Sequence, residues 1–285
     1  MSTFRKEISS PYLWNRLILL VAVLAGFIYT WSQRSLIAGI EIVGMVLVTW
    51  ALARELDVRR KYGAYIGIIF LLFRIFSFDL IPSHLSEPIY IFFLLRLVHN
   101  RSSDNEALIQ AGIVFVFGLL LSTFYKNIIY LVFFFMSLYL NEGLASSLND
   151  LIDKKLGRKT NKIREKNLIQ HFFAFLAGAS SGLLSFFFLI SADFLLISIT
   201  KIALIFILLF FATLTLIDQE EQAINRLGEV INPKKILHSQ LFFVWIILNL
   251  LFLTELSASN ISIYIGAMLS FILYQPINAN LLTKK

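Results

Sequence analysis

Of the 285 residues, 58% are hydrophobic and 15% charged, and the mean hydropathy is +0.78. A soluble domain has roughly a quarter of its residues charged, so there is too little charge here to cover a globular surface in water, and lipid is the expected solvent for most of it. Cysteine is absent, which excludes disulfides, thiolate metal sites and cysteine nucleophiles.

The apolar runs are continuous rather than alternating, which points to helices rather than to the strands of an outer-membrane barrel. Glycine and proline are scarce, at 13 and 5, and favour unbroken helices, while phenylalanine is abundant at 28. A span needs about 20 apolar residues, and by that measure about ten runs qualify. They are 12–31, 36–53, 62–81, 86–99, 107–124, 127–141, 169–191, 194–217, 237–257 and 260–280, of which the fourth and sixth are short. The first lacks a small-residue cleavage site and is expected to be retained as a span. The expected fold is all-α: a polytopic transmembrane helical bundle forming a single integral membrane domain over 1–285. Its cytoplasmic loops fall near 54–61, 100–106, 142–168 and 218–236.

Lysine and arginine set the orientation. With both termini inside, every one of the 25 basic residues falls in an inside segment except four. Arg34 and Lys126 lie outside, and Arg74 and Lys201 lie within spans. The net charge of +7 is thereby explained as a topology signal facing anionic headgroups, and no nucleic-acid partner is expected. The expected location is the cell (inner) membrane of a bacterial or archaeal type, multi-pass, with membrane lipid as partner.

Arg74, in FLLFRIFSFD, and Lys201, in ISITKIALIF, are candidates for an intramembrane site, because a charge at mid-membrane normally faces the bundle interior. An internal ion pair or a snorkelling side chain is the structural alternative for each, and the more natural one for Lys201. Glu41, Glu87, Asp193 and Glu255 stand near the outer ends of spans, where interfacial water is expected to solvate them. His84, His99, His171 and His238 are scattered without ligand spacing, and no glycine-rich phosphate loop, G-x-S-x-G elbow or H-E-x-x-H motif occurs.

The strongest polar feature is the segment 141–167. In SSLNDLIDKKLGRKT, Asn149, Asp150 and Asp153 lie at helical spacing and share a face if the preceding helix continues. A hard cation such as Mg²⁺ takes one or two carboxylates together with phosphate oxygens and waters. Lys154, Lys155, Arg158, Lys162 and Arg164 follow and have the charge to neutralise a diphosphate. A second inside segment, LIDQEEQAINRLGEVINPKK, offers Asp218, Glu220 and Glu221, then Asn225 and Arg226. Both segments also read simply as solvated loops, rich in lysine because they face the cytoplasm.

The string N-D-L-I-D-x-x-x-G-R-K-T resembles the aspartate-rich signature of the UbiA superfamily of intramembrane prenyltransferases. That family has helical bundles with two motifs on the cytoplasmic side. The resemblance implies that Asp150 and Asp153 bind Mg²⁺ with help from Asn149, facing Asp218 and Glu221. It implies that Lys154, Arg158, Lys162, Arg164 and Arg226 grip the diphosphate of a polyprenyl donor, whose tail suits a phenylalanine-rich cavity. If 149–164 is the first motif, Gly157 takes its third aspartate position, and Gln222 stands where the second motif has its second aspartate. If it is the second motif, the first reduces to Glu55 and Asp57 in ARELDVRRK.

Two other classes fit the same pattern of spans. Ten spans with short loops also describe a small-solute transporter, a type that usually arises from an inverted repeat of five plus five helices. A non-catalytic membrane subunit with degenerate motifs is the third.

Overall fold

A computed structural model of the chain describes residues 13–56, 63–77, 85–99, 104–141, 199–217, 223–224, 230–231, 233–254 and 256–282. Among these the regular structure is helical: α1 (Leu13–Gln33), α2 (Leu36–Leu56), α3 (Gly63–Ser77), α4 (Ser86–His99), α5 (Asp104–Phe124), α6 (Ile129–Leu140), α7 (Ile199–Ile217), α8 (Pro233–Leu253) and α9 (Ala258–Leu282). A two-residue antiparallel pair, β1 (Ala223–Ile224) with β2 (Val230–Ile231), interrupts them between α7 and α8. The protein is all-α. Each helix falls on one of the apolar runs, and the short fourth and sixth runs are short helices. The run 169–191 lies outside the described residues. α2 continues to Leu56, α5 starts at Asp104 and α8 at Pro233, so these helices extend past the apolar runs 36–53, 107–124 and 237–257 into charged residues.

The turns are built by a few polar residues. Arg34 has φ 53° and ends α1 in the left-handed conformation, and Ser35 accepts the Ala38 N–H at 3.3 Å to start α2. Lys126 has φ 50°. Around it the Asn127 N–H bonds the Ser122 carbonyl at 3.0 Å and the Lys126 N–H bonds that of Thr123 at 3.4 Å, the Schellman pattern of a helix end. Ser257 caps α9, accepting the Asn260 N–H at 3.1 Å.

The chain divides into two compact units, residues 1–88 with 257–285 and residues 89–256. The first thus gathers α1, α2, α3 and the last helix, a grouping that differs from two consecutive sets of five. In it, α2 packs against α1, α3 and α9, and α3 also packs against α9. Its core includes Ile42, Met45, Leu52, Leu71, Tyr264 and Phe271. Two close crossings hold it: Gly26 on α1 against Gly39 on α2, and Gly67 on α3 against Gly266 on α9. In the second unit α5 packs on α6, α7 on α8, and α6 on α8. Aromatic edges dominate it, with Phe133 against Trp245 at 5.5 Å and Phe211 against Phe243 at 6.4 Å.

Large apolar side chains also stand on the outward faces. Leu20, Phe27 and Ile28 on α1, Ile69 and Phe73 on α3, Ile113, Val116 and Leu120 on α5, and Phe206 and Phe210 on α7 are all exposed. Trp31 is 81% and Ile37 73% exposed. α1 from Arg16, and α2, are long and apolar enough to cross a membrane, and six shorter apolar helices accompany them.

The glycine crossing of α3 and α9 is directly testable. A Cβ at Gly266 would lie 2.9 Å from the Gly67 carbonyl oxygen, and one at Gly67 would meet the Gly266 backbone still more closely. Gly67→Ala must therefore push two backbones apart. We expect a loss on the order of 1–3 kcal/mol, as for other overpacked cores. Gly112→Ala, where a Cβ meets nothing within 4 Å, serves as the contrast. It is expected to be neutral or to gain about 0.5–1 kcal/mol from helix propensity. Thermal unfolding of the two purified variants checks both.

Candidate functional site

Most polar side chains inside these helices bond to the backbone of their own helix or to the end of another, while the Ser122 hydroxyl of α5 is buried with no hydrogen-bond partner. Thr30, Thr49, Thr213, Thr215, Thr254 and Ser262 each donate to the carbonyl four residues back, at 2.7–2.9 Å. Such back-bonding satisfies a hydroxyl without water. The groups that reach between helices are fewer, and they gather at helix ends.

In the first unit the gathering point is the start of α4 and the start of α9. Glu87 is 6% exposed, in the first turn of α4, where the helix dipole favours a carboxylate. Its Oε2 accepts from Asn260 Nδ2 at 3.0 Å across 173 residues of sequence. Asn260, Ser259 and Ser262 are buried, and the Ser257 and Ser259 hydroxyls lie 3.0 Å apart. Interfacial solvation was the expectation for Glu87. The carboxylate is instead enclosed and held by an amide, because the α9 cap brings Asn260 to it.

In the second unit the gathering point is the opposite end of α4. Asn141, 1% exposed at the last turn of α6, donates Nδ2 to the Leu97 carbonyl at 2.6 Å. His99, the last residue of α4, is 4% exposed and its Nε2 lies 2.8 Å from Ser239 Oγ of α8. Nearer the other end of α4, the Tyr90 hydroxyl donates to the Tyr130 carbonyl of α6 at 2.7 Å. Tyr90 therefore pairs with the start of α6 and Leu97 with its end, so α4 and α6 run parallel. His99 at the end of α4 meets the beginning of α8.

The residues singled out from the sequence are placed as follows. Arg74 stands half-buried in the last turn of α3. Lys201 lies on α7, with its side chain outside the described set. Glu55, the acid of the alternative first motif, is buried at 7% exposure in the last turn of α2, next to Arg54, whose guanidinium lies 5.5 Å from the Trp50 ring. Asp57 lies outside the described residues. So do Asn149, Asp150, Asp153, Lys154, Arg158, Lys162 and Arg164, and Asp218, Glu221 and Arg226. Asn141 is the last described residue before the first of these groups, and α7 ends at Ile217, immediately before Asp218. Among the described residues, no group of three His, Asp or Glu side chains is placed to hold a metal ion.

Sequence reasoning missed Asn141, Ser239 and Asn260. Each is an uncharged amide or hydroxyl at the border of an apolar run, which is the one signal available. Comparison of the chain with protein-family models, curated proteins and solved structures finds no match.

The Glu87–Asn260 bond separates charge from hydrogen bonding cleanly. Glu87→Ala removes the buried acceptor of Asn260 Nδ2, at a cost of about 1–3 kcal/mol, whereas Glu87→Gln keeps an oxygen for Asn260 Nδ2. Chemical or thermal unfolding should show Glu87→Ala clearly destabilised and Glu87→Gln near the parent. Equal losses in the two would mean that the negative charge itself is what the fold requires.

Proposed function

We propose that this chain is a multi-pass integral membrane protein of about ten spans with both termini cytoplasmic. We propose further that it transfers a prenyl group from a polyprenyl diphosphate to an acceptor within the membrane. Three observations support the membrane part. The outward faces carry large apolar side chains, the helical hydroxyls bond back to their own helices, and the basic residues sort to one side. A fourth is independent of composition. The ten-span threading puts the starts of α4 and α9 on one side, and the ends of α4 and α6 with the start of α8 on the other. The bonds Glu87–Asn260, Asn141–Leu97 and His99–Ser239 join only ends that this threading places together.

The observation that carries the chemistry is N-D-L-I-D at 149–153, followed by basic residues, shortly after α6 ends on the side assigned to the cytoplasm. Two carboxylates and an amide oxygen are hard donors that suit Mg²⁺. Asp150 and Asp153, with Asn149, would hold the ion opposite Asp218 and Glu221, and the ion would supply charge neutralisation to the diphosphate. Lys154, Arg158, Lys162, Arg164 and Arg226 would bind the remaining phosphate oxygens. The C–O bond of the donor then breaks with its electron pair leaving on diphosphate. The allylic carbon bonds to the acceptor, which gives up a proton.

The test is binding of a polyprenyl diphosphate to the purified protein with and without Mg²⁺, in parent and Asp153→Asn forms. Binding should require magnesium and weaken by at least about tenfold in the variant, a difference of ~1.4 kcal/mol. Magnesium-independent binding, or an unaffected variant, removes the prenyl-transfer assignment and leaves the membrane assignment standing.

A further inference from the structure

We infer that the end of α4 is a positioning hub. The Leu97 carbonyl and the His99 imidazole fix the end of α6 and the start of α8 at a set spacing. Those are the two helix ends from which the acidic segments of the proposed site are hung, so the functional consequence rests on the prenyl-transfer assignment.

Three buried contacts define the hub. Asn141 Nδ2 donates to the Leu97 carbonyl at 2.6 Å, a carbonyl in the last turn of α4 and so in need of a donor beyond its own helix. Ser239 Oγ donates to the Ile236 carbonyl at 2.8 Å. A hydroxyl has one hydrogen, so toward His99 it accepts, and His99 presents Nε2–H to it at 2.8 Å. All three side chains are nine-tenths or more buried: Asn141 at 1%, His99 at 4% and Ser239 at 0% exposure. Buried polar groups bonded to one another fix a register in a way that apolar contacts, which can slide, do not.

The placement of these bonds is what gives them a role beyond packing. Leu97 and His99 are two residues apart on one helix, so the bonds to Asn141 and Ser239 are made at levels within about one turn of each other along α4. The links span 44 and 140 residues of sequence. Asn149 is eight residues after Asn141, so at most about 28 Å of chain separates them, and α8, which follows the segment with Asp218, Glu221 and Arg226 in sequence, starts at Pro233 with Ser239 in its second turn. A diphosphate bound through both segments needs their roots held at one distance.

The absence of native cysteine makes the test clean, because a pair of introduced cysteines supplies the protein's sole thiols. Spin labels at Tyr139→Cys on α6 and His238→Cys on α8, in the full chain reconstituted in bilayers, report the spacing by pulsed electron spin resonance. A control pair, Leu24→Cys on α1 with Ile40→Cys on α2, reports the fold of the first unit. The parent should give one narrow distance for the α6–α8 pair. His99→Ala and Asn141→Ala should broaden it and leave the control pair unchanged. His99→Gln, which retains an amide N–H at about the reach of Nε2, should restore it. In parallel, magnesium-dependent binding of a polyprenyl diphosphate should weaken by about tenfold in the two alanine variants and recover in His99→Gln. An unchanged α6–α8 distance in both alanine variants overturns the hub. A broadened distance with unaltered binding overturns its role in holding the site. If the parent itself binds no diphosphate, the prenyl-transfer assignment fails, and the distance measurement still decides the hub.

Discussion

A polar group inside an apolar bundle costs several kcal/mol unless another group of the protein satisfies it. Apart from the buried Ser122 hydroxyl, which has no hydrogen-bond partner, the described helices follow that constraint. Threonine and serine hydroxyls turn back on their own helices, and the amide, carboxylate and imidazole groups that remain meet partners at helix ends. The Glu87–Asn260, Asn141–Leu97 and His99–Ser239 contacts are therefore more than local decoration. Apolar faces of neighbouring helices can slide and rotate at little cost, whereas one satisfied pair fixes which ends lie together. Glu87 stands in the first turn of α4 and His99 in its last.

Helix existence and approximate limits were legible in the sequence because a continuous apolar run has one compact solution. The two shortest runs were legible on the same ground, and they became α4 and α6. Partnership was not legible. Asn260 and Glu87 are 173 residues apart and His99 and Ser239 are 140 apart, and nothing in either local sequence names the other. Glu87 illustrates the failure in physical terms. Its position at the outer border of an apolar run is the signature of a solvated carboxylate. Only the packing of the α9 cap, set by Ser257, puts an amide beside it. The close glycine approach of α3 and α9 was hidden for the same reason, since two of 13 glycines in long runs look like the rest.

The candidate chemistry stands in a different relation to the structure. The residues of N-D-L-I-D and of the second acidic segment were chosen for donor type and spacing, and they lie outside the described residues. The structure contributes the frame on either side of them: Asn141 and Ile217, which precede the two segments, and Pro233, where α8 begins after the second. Arg34 and Lys126 belong to the opposite ends of their helices. Both hold left-handed turns between successive apolar helices, a conformation that glycine adopts at less cost, and both keep a positive charge there. They are the two basic residues assigned to the outer side.

The central claim is the threading of the chain through the membrane, on which the sidedness of every polar contact and of the candidate site depends. Its most direct measurement is the accessibility of single cysteines to a membrane-impermeant maleimide in intact cells, using Arg34→Cys, Lys126→Cys and Lys235→Cys in the otherwise thiol-free chain. The account predicts that positions 34 and 126 react from outside and that position 235 reacts only after the membrane is opened. Labelling of position 235 in intact cells, together with protection of position 126, would contradict it.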